Sequence, residues 1–144
     1  MPGLVLEGGT FRPVFSCGVM DALLDNDIMF DYVIGVSAGI TYAASYLSRQ
    51  RERNINILRQ YRGDKRYFGA RNLLHDHSIF GTDFVFDTIP NQLVPFDWDE
   101  FHKYQGKYLV MRKMMKEKQL ESSLKLILWS ISVVRDIIFR WLMI

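Results

Sequence analysis

The chain has 144 residues, of which 49% are apolar, 14% aromatic and 24% charged, a composition that can bury a core and excludes a disordered polymer. Its formal net charge of +2 is too small for the electrostatic footprint of a nucleic-acid binder, so no nucleic-acid partner is expected. Cys17 is the only cysteine, which excludes an intrachain disulfide and a cysteine-built metal site and marks Cys17 as a small core residue.

The N-terminus, MPGLVLEGG, lacks the basic region and apolar stretch of a signal peptide, and a cytoplasmic protein is expected. Gly3 to Leu6 reads as a short buried strand that Gly8 and Gly9 end with a turn. A helix fits from about Pro13, with Val14, Val19, Leu23 and Leu24 on one face. In FDYVIGVSAGITYAASYLSRQ, Tyr32 to Val36 reads as a second buried strand, Ser37 as the turn, and Ala38 to about Arg49 as a helix. Two strand-turn-helix units in succession predict a parallel sheet covered by helices, with both glycine turns at the carboxyl ends of strands. Arg49, Arg51, Arg53, Arg59 and Arg62 follow in helical surroundings. They read as a solvent-facing basic stretch, with anionic headgroups as the functional alternative.

The pentapeptide GVSAG, residues 35–39, has the G-x-S-x-G pattern of a nucleophile on a tight strand-to-helix turn, where Gly35 and Gly39 remove side chains that would crowd the bend. The same letters also describe a plain turn with a serine helix cap. If the two strands are neighbours, backbone N–H groups around Gly8, Gly9 and Thr10 face the Ser37 hydroxyl and serve as an oxyanion hole.

LVLEGGTFRPVFSCGVMDALL, followed by FDYVIGVSAG and later by RNLLHDHSIFGTDFVFDTIPNQLVPFD, resembles the patatin-like phospholipase family, in its bacterial form, over about residues 3–110. The resemblance implies a three-layer α/β/α sandwich with a mainly parallel sheet. It also implies a lipid acyl hydrolase with a Ser-Asp dyad, no catalytic histidine, no metal and no cofactor. In that reading Ser37 is the nucleophile, and Gly8, Gly9, Thr10 and Arg12 form the oxyanion loop, where Arg12 polarises a carbonyl or meets a phosphate headgroup. The partner is a lipid or other acyl ester, with peripheral contact to a membrane.

The chain departs from the family pattern twice. Thr10 and Pro13 stand where the family carries glycines, and Pro13 has no N–H to donate. No Asp-Gly dipeptide occurs, so the turn that supplies the dyad aspartate is missing. Residues 1–110 therefore read as the N-terminal part of the domain, and 111–144 as an atypical C-terminal segment that leaves the fold incomplete. That segment has seven basic and three acidic side chains, against eleven and thirteen over residues 1–110, and no glycine or proline. It reads as a charged helix over 112–122 followed by an apolar element packed on the sheet. The alternatives are a membrane-facing amphipathic tail carrying Trp129 and Trp141, or a truncated or frame-shifted end. Two other functions stay open: a non-catalytic lipid-binding remnant, and a Ser-His-Asp esterase using Ser37, Asp83 or Asp87, and His102. His75, Asp76 and His77 read as a solvated loop, since no third ligand stands at a metal-site spacing.

Overall fold

The computed structural model describes residues 2–9, 11–75 and 78–110. They fall into two compact units, one up to residue 59 and again from 96, the other over 60–95. Thr10, Asp76, His77 and the whole of 111–144 lie outside the described residues.

The first unit is an α/β layer structure. Its elements are β1 (Leu4–Leu6), α1 (Val14–Asp25), β2 (Tyr32–Gly35), α2 (Ala38–Leu47), the start of α3 (Arg53–Tyr61) and, after the second unit, the short helix Trp98–His102 and β3 (Lys107–Val110). The strands form one parallel sheet in the order β1-β2-β3. Leu4 is opposite Val33 and Leu6 opposite Gly35, while Val33 pairs with Tyr108 and Gly35 with Val110. The expected parallel sheet is present, with β1 and β2 adjacent.

Leu6 and Val33 point from the sheet into a cluster with Cys17 and Met20 of α1 and Ala43, Tyr46 and Leu47 of α2. The alternate residues face the other way, and Val5 is 66% and Leu109 44% exposed. The face expected for α1 needs correction. Val19 is 41% exposed, and the buried positions are Cys17 and Met20, with Leu23 and Leu24 packed against the cluster. A helix buries positions three and four apart, and the run Pro13, Cys17, Met20, Leu24 meets that spacing better than one centred on Val19. Cys17 is a core residue as expected. Its thiol donates to the Pro13 carbonyl at 3.6 Å, and burial, reinforced by the charge of Asp21, pushes it up to about 12. Helix α2 runs as expected from Ala38 and ends at Leu47, two residues before Arg49, whose left-handed φ of 52° no helix continues through.

Tyrosines tie the connections together. The Tyr46 hydroxyl donates to the Ile28 carbonyl at 2.9 Å and accepts from the Phe30 N–H at 3.2 Å, fixing the α1–β2 link to α2. Tyr104 donates to the Phe30 carbonyl at 2.8 Å, and Tyr108, on β3, donates to the Ile40 carbonyl in the first turn of α2. Outside the core, Arg49 pairs with Asp27 at 2.7 Å and with Glu100 at 3.5 Å, and Arg51 pairs with Asp25 and Glu52. Arg53 departs from the expected solvent-facing stretch. It is half-buried, its guanidinium lies 5.1 Å from the Phe96 ring centre and donates to the Ser45 hydroxyl at 3.3 Å, and burial lowers it to about 10.

In the second unit, Phe68 and Phe80 form an isolated antiparallel bridge, and Asn72, opening α4 (Asn72–His75), donates to the carbonyls of Lys65 and Ile79. The helix Phe84–Leu93 is wound as a π-helix around Pro90, and Val94 donates back five residues to Ile89 at 2.8 Å. Pro90 has no N–H to give a regular ladder.

Replacing Tyr46 by Phe leaves the Phe30 N–H and the Ile28 carbonyl without that partner. The expected cost is about 1–3 kcal/mol, measured as a lower urea midpoint at unchanged m-value; an unchanged midpoint would count against the tether. Hydrogen bonding from Arg51 lowers the Asp25 pKa, so the pair contributes above the unfolded carboxylate value of about 4 and is lost as pH falls through the folded one. Arg51→Gln should therefore flatten the acid limb of thermal midpoint against pH. An identical limb in both proteins would show that the pair contributes nothing.

Candidate active site

The turn from β2 to α2 is unusually constrained. Ser37 has φ 50° and ψ −124°, close to the first central position of a type II′ turn, which is ordinarily glycine. The Gly39 N–H donates to the Val36 carbonyl at 2.9 Å and closes the turn, and the Ile40 N–H donates to the Ser37 carbonyl at 3.1 Å and begins the helix. The Ser37 side chain is exposed and makes no capping hydrogen bond. The plain serine cap allowed by the sequence is therefore not formed.

The flanking glycines have separate steric causes. A Cβ on Gly35 would stand 2.6 Å from the backbone N and Cα of Ile40, and one on Gly39 would stand 2.4 Å from the Glu7 carbonyl oxygen and 2.8 Å from that of Leu6. Real Cβ atoms do not come so close to backbone. The elbow thus presses against the carboxyl end of β1, where the first glycine loop begins.

That loop lies beside the serine. A Cβ on Gly8 would be 3.1 Å from the Ser37 Cβ and 3.0 Å from the Val36 carbonyl oxygen, and the Val36 N–H donates to the Leu6 carbonyl at 3.0 Å. Gly9 has φ +122°, a conformation side chains rarely adopt. The Arg12 N–H donates to the Gly9 carbonyl at 2.7 Å, and Nη2 of the Arg12 guanidinium donates to the Gly8 carbonyl at 3.3 Å. Arg12 is exposed, but its head folds back over Gly9. Gly8, Gly9, Arg12, Gly35, Ser37 and Gly39 therefore gather at one end of the sheet, while Thr10 lies outside the described residues.

The other candidates are placed differently. His102 ends the helix Trp98–His102, its ring 6.4 Å from that of Trp98 and 6.0 Å from that of Phe101. In the second unit, Asp83 stands at the start of the π-helix, and the Asp87 carboxylate accepts from Asn91 at 2.9 Å. His75 closes α4, and His77 and the 111–144 readings lie outside the described residues. Among the described residues no side chain hydrogen-bonds the Ser37 hydroxyl. Sequence reasoning did not find the anchor from Tyr108 to Ile40; nothing local in KYLV signals a partner so far away in the chain.

Residues 4–130 match a protein family described as Patatin-like phospholipase, a span that continues past residue 110. No curated protein and no solved structure gives a significant match.

The Ser37 backbone makes a stability prediction. A non-glycine residue held in such a region costs about 1–3 kcal/mol, and glycine's greater freedom in the unfolded chain returns about 0.5–1 kcal/mol of that. Ser37→Gly should therefore melt a few degrees higher than the parent, and Ser37→Ala should not; equal melting of all three would mean that the turn is unstrained.

Proposed function

We propose that this chain, which belongs to the patatin-like phospholipase family, is a lipid acyl hydrolase with Ser37 as its nucleophile. The observation that carries the reading is the Ser37 turn, at φ 50° and ψ −124°, packed against the backbone of Gly8. A serine held there presents its hydroxyl clear of its own helix. Ser37 Oγ attacks the carbonyl carbon of a lipid ester, an acyl-enzyme forms as the alcohol leaves, and water releases the fatty acid.

Negative charge develops on the carbonyl oxygen during attack, and we assign the Gly8–Gly9 loop, which lies beside Ser37, to receive it, with Thr10 assigned to the same loop by sequence alone. Arg12 assists by position. In a planar peptide the N–H and C=O point in opposite directions, so a guanidinium holding the Gly8 carbonyl also sets the direction of the Gly9 N–H. Gly35 and Gly39 admit the close contacts that keep serine and loop together. This supports a preformed oxyanion site and gives Arg12 a structural task in addition to any contact with substrate. The proposal includes a cytoplasmic protein in peripheral contact with a membrane. No described helix is long and apolar enough to cross one.

The chain is a slow catalyst in this reading. Serine needs a base to take its proton, a positioned general base contributes about 10²–10⁴ in rate, and the chain carries no Asp-Gly dipeptide. A fluorophosphonate probe should label the chain at Ser37 and leave Ser37→Ala unlabelled, while turnover of a nitrophenyl ester and a lysophospholipid stays low. Absence of labelling favours a non-catalytic lipid-binding protein. Fast turnover abolished by Ser37→Ala requires a base that the chain supplies from elsewhere.

A further inference from the structure

Helix α1 turns an apolar stripe to solvent immediately after the glycine loop. Phe15 is 81% exposed and Val19 41%. Gly18 and Ala22 are exposed with them, and a Cβ placed on Gly18 meets nothing within 4 Å. The spacing 15, 18, 19, 22 is that of a single helix face. A face turned to water normally carries charged or polar groups, yet no charged residue occurs between Arg12 and Asp21. The two acidic residues of α1 sit at its far end and are engaged there, Asp21 accepting the Glu52 N–H at 2.9 Å and Asp25 pairing with Arg51.

We propose that this face of α1, with Phe15 at its head, is the surface by which the protein docks on a lipid bilayer. The choice of occupant rests on the hydrolase reading of Ser37 and on charge. Exposed Arg12 precedes the helix at the loop end, where anionic phosphates would lie; exposed Glu7 stands before the glycines, and the carboxylates of the helix itself stand only at the end away from Arg12. Phe15 follows Arg12 by three residues, and Arg12 in turn holds the loop that packs on Ser37. A bilayer on the stripe therefore meets the protein at the loop. An aromatic ring with a neighbouring cation suits the boundary between acyl chains and headgroups.

The full chain should be sedimented with vesicles of phosphatidylcholine containing phosphatidylglycerol. Phe15→Glu and Val19→Glu should each weaken binding about tenfold, the scale of one large apolar side chain withdrawn from lipid. Thermal midpoint and fluorophosphonate labelling without lipid should stay at the parent level, since neither side chain belongs to the site. Phe15→Trp should keep the affinity and shift its emission to the blue on vesicles, read as the difference from the parent chain with its three tryptophans. Failure of the parent to bind vesicles, or equal binding by Phe15→Glu, overturns the proposal. So does a dimer in lipid-free sedimentation that Phe15→Glu dissociates, because the stripe is then covered by a second copy. Vesicle binding that depends on Phe15 in a chain whose Ser37 takes no probe supports the docking surface and overturns the hydrolase reading alone.

Discussion

The first unit depends on one close approach of two backbones, that of Gly39 to the carbonyl oxygens of Leu6 and Glu7. A side chain at that point would push α2 away from β1, and with it the turn that carries Ser37. The approach is possible because the buried side of α2 is small where it meets the sheet, with Gly39, Ala43 and Ala44 among its buried residues. The next residue, Ile40, is held from the other edge by Tyr108 of β3. The start of α2 is therefore clamped from both outer strands, and the strained serine stands at the point that neither clamp lets relax. Strain of this kind persists only where the surroundings over-determine it.

The same clamps explain which parts of the molecule were legible in the sequence. Leu4 to Leu6 and Tyr32 to Gly35 are short apolar runs bounded by glycine, and their parallel pairing follows from the helices that separate them. The crowding of glycine around Ser37 was readable because the turn chemistry is local. The inward face of α1 was not, since Val19 and Met20 are equally apolar and only the position of the sheet decides which is covered. The burial of Arg53 is not legible for a similar reason. Five arginines close together look alike, yet one lies at the start of α3 beside Phe96 and Ser45, partners distant in sequence or set by the fold.

Electrostatics divide the arginines further. Arg49 and Arg51 spend their charge on the carboxylates of Asp27, Glu100, Asp25 and Glu52, exposed pairs that contribute modestly and weaken in salt. They order the linker after α2, where Arg49 and Glu52 both take left-handed backbone conformations. Arg12 is different in kind. Its guanidinium donates to the Gly8 backbone carbonyl of the loop, so its removal acts on loop shape before it acts on net charge.

The buried thiol of Cys17 carries a consequence of another sort. Burial pushes its pKa up to about 12, so the reactive thiolate is scarce at neutral pH, and the sulfur is buried among α1, α2 and the sheet. The chain has no other sulfhydryl to compete for an alkylating reagent. A thiol reagent in solution therefore reaches this protein only in the moments when α1 lifts from its bed, and the pace of its incorporation is a clock that counts those excursions one molecule at a time.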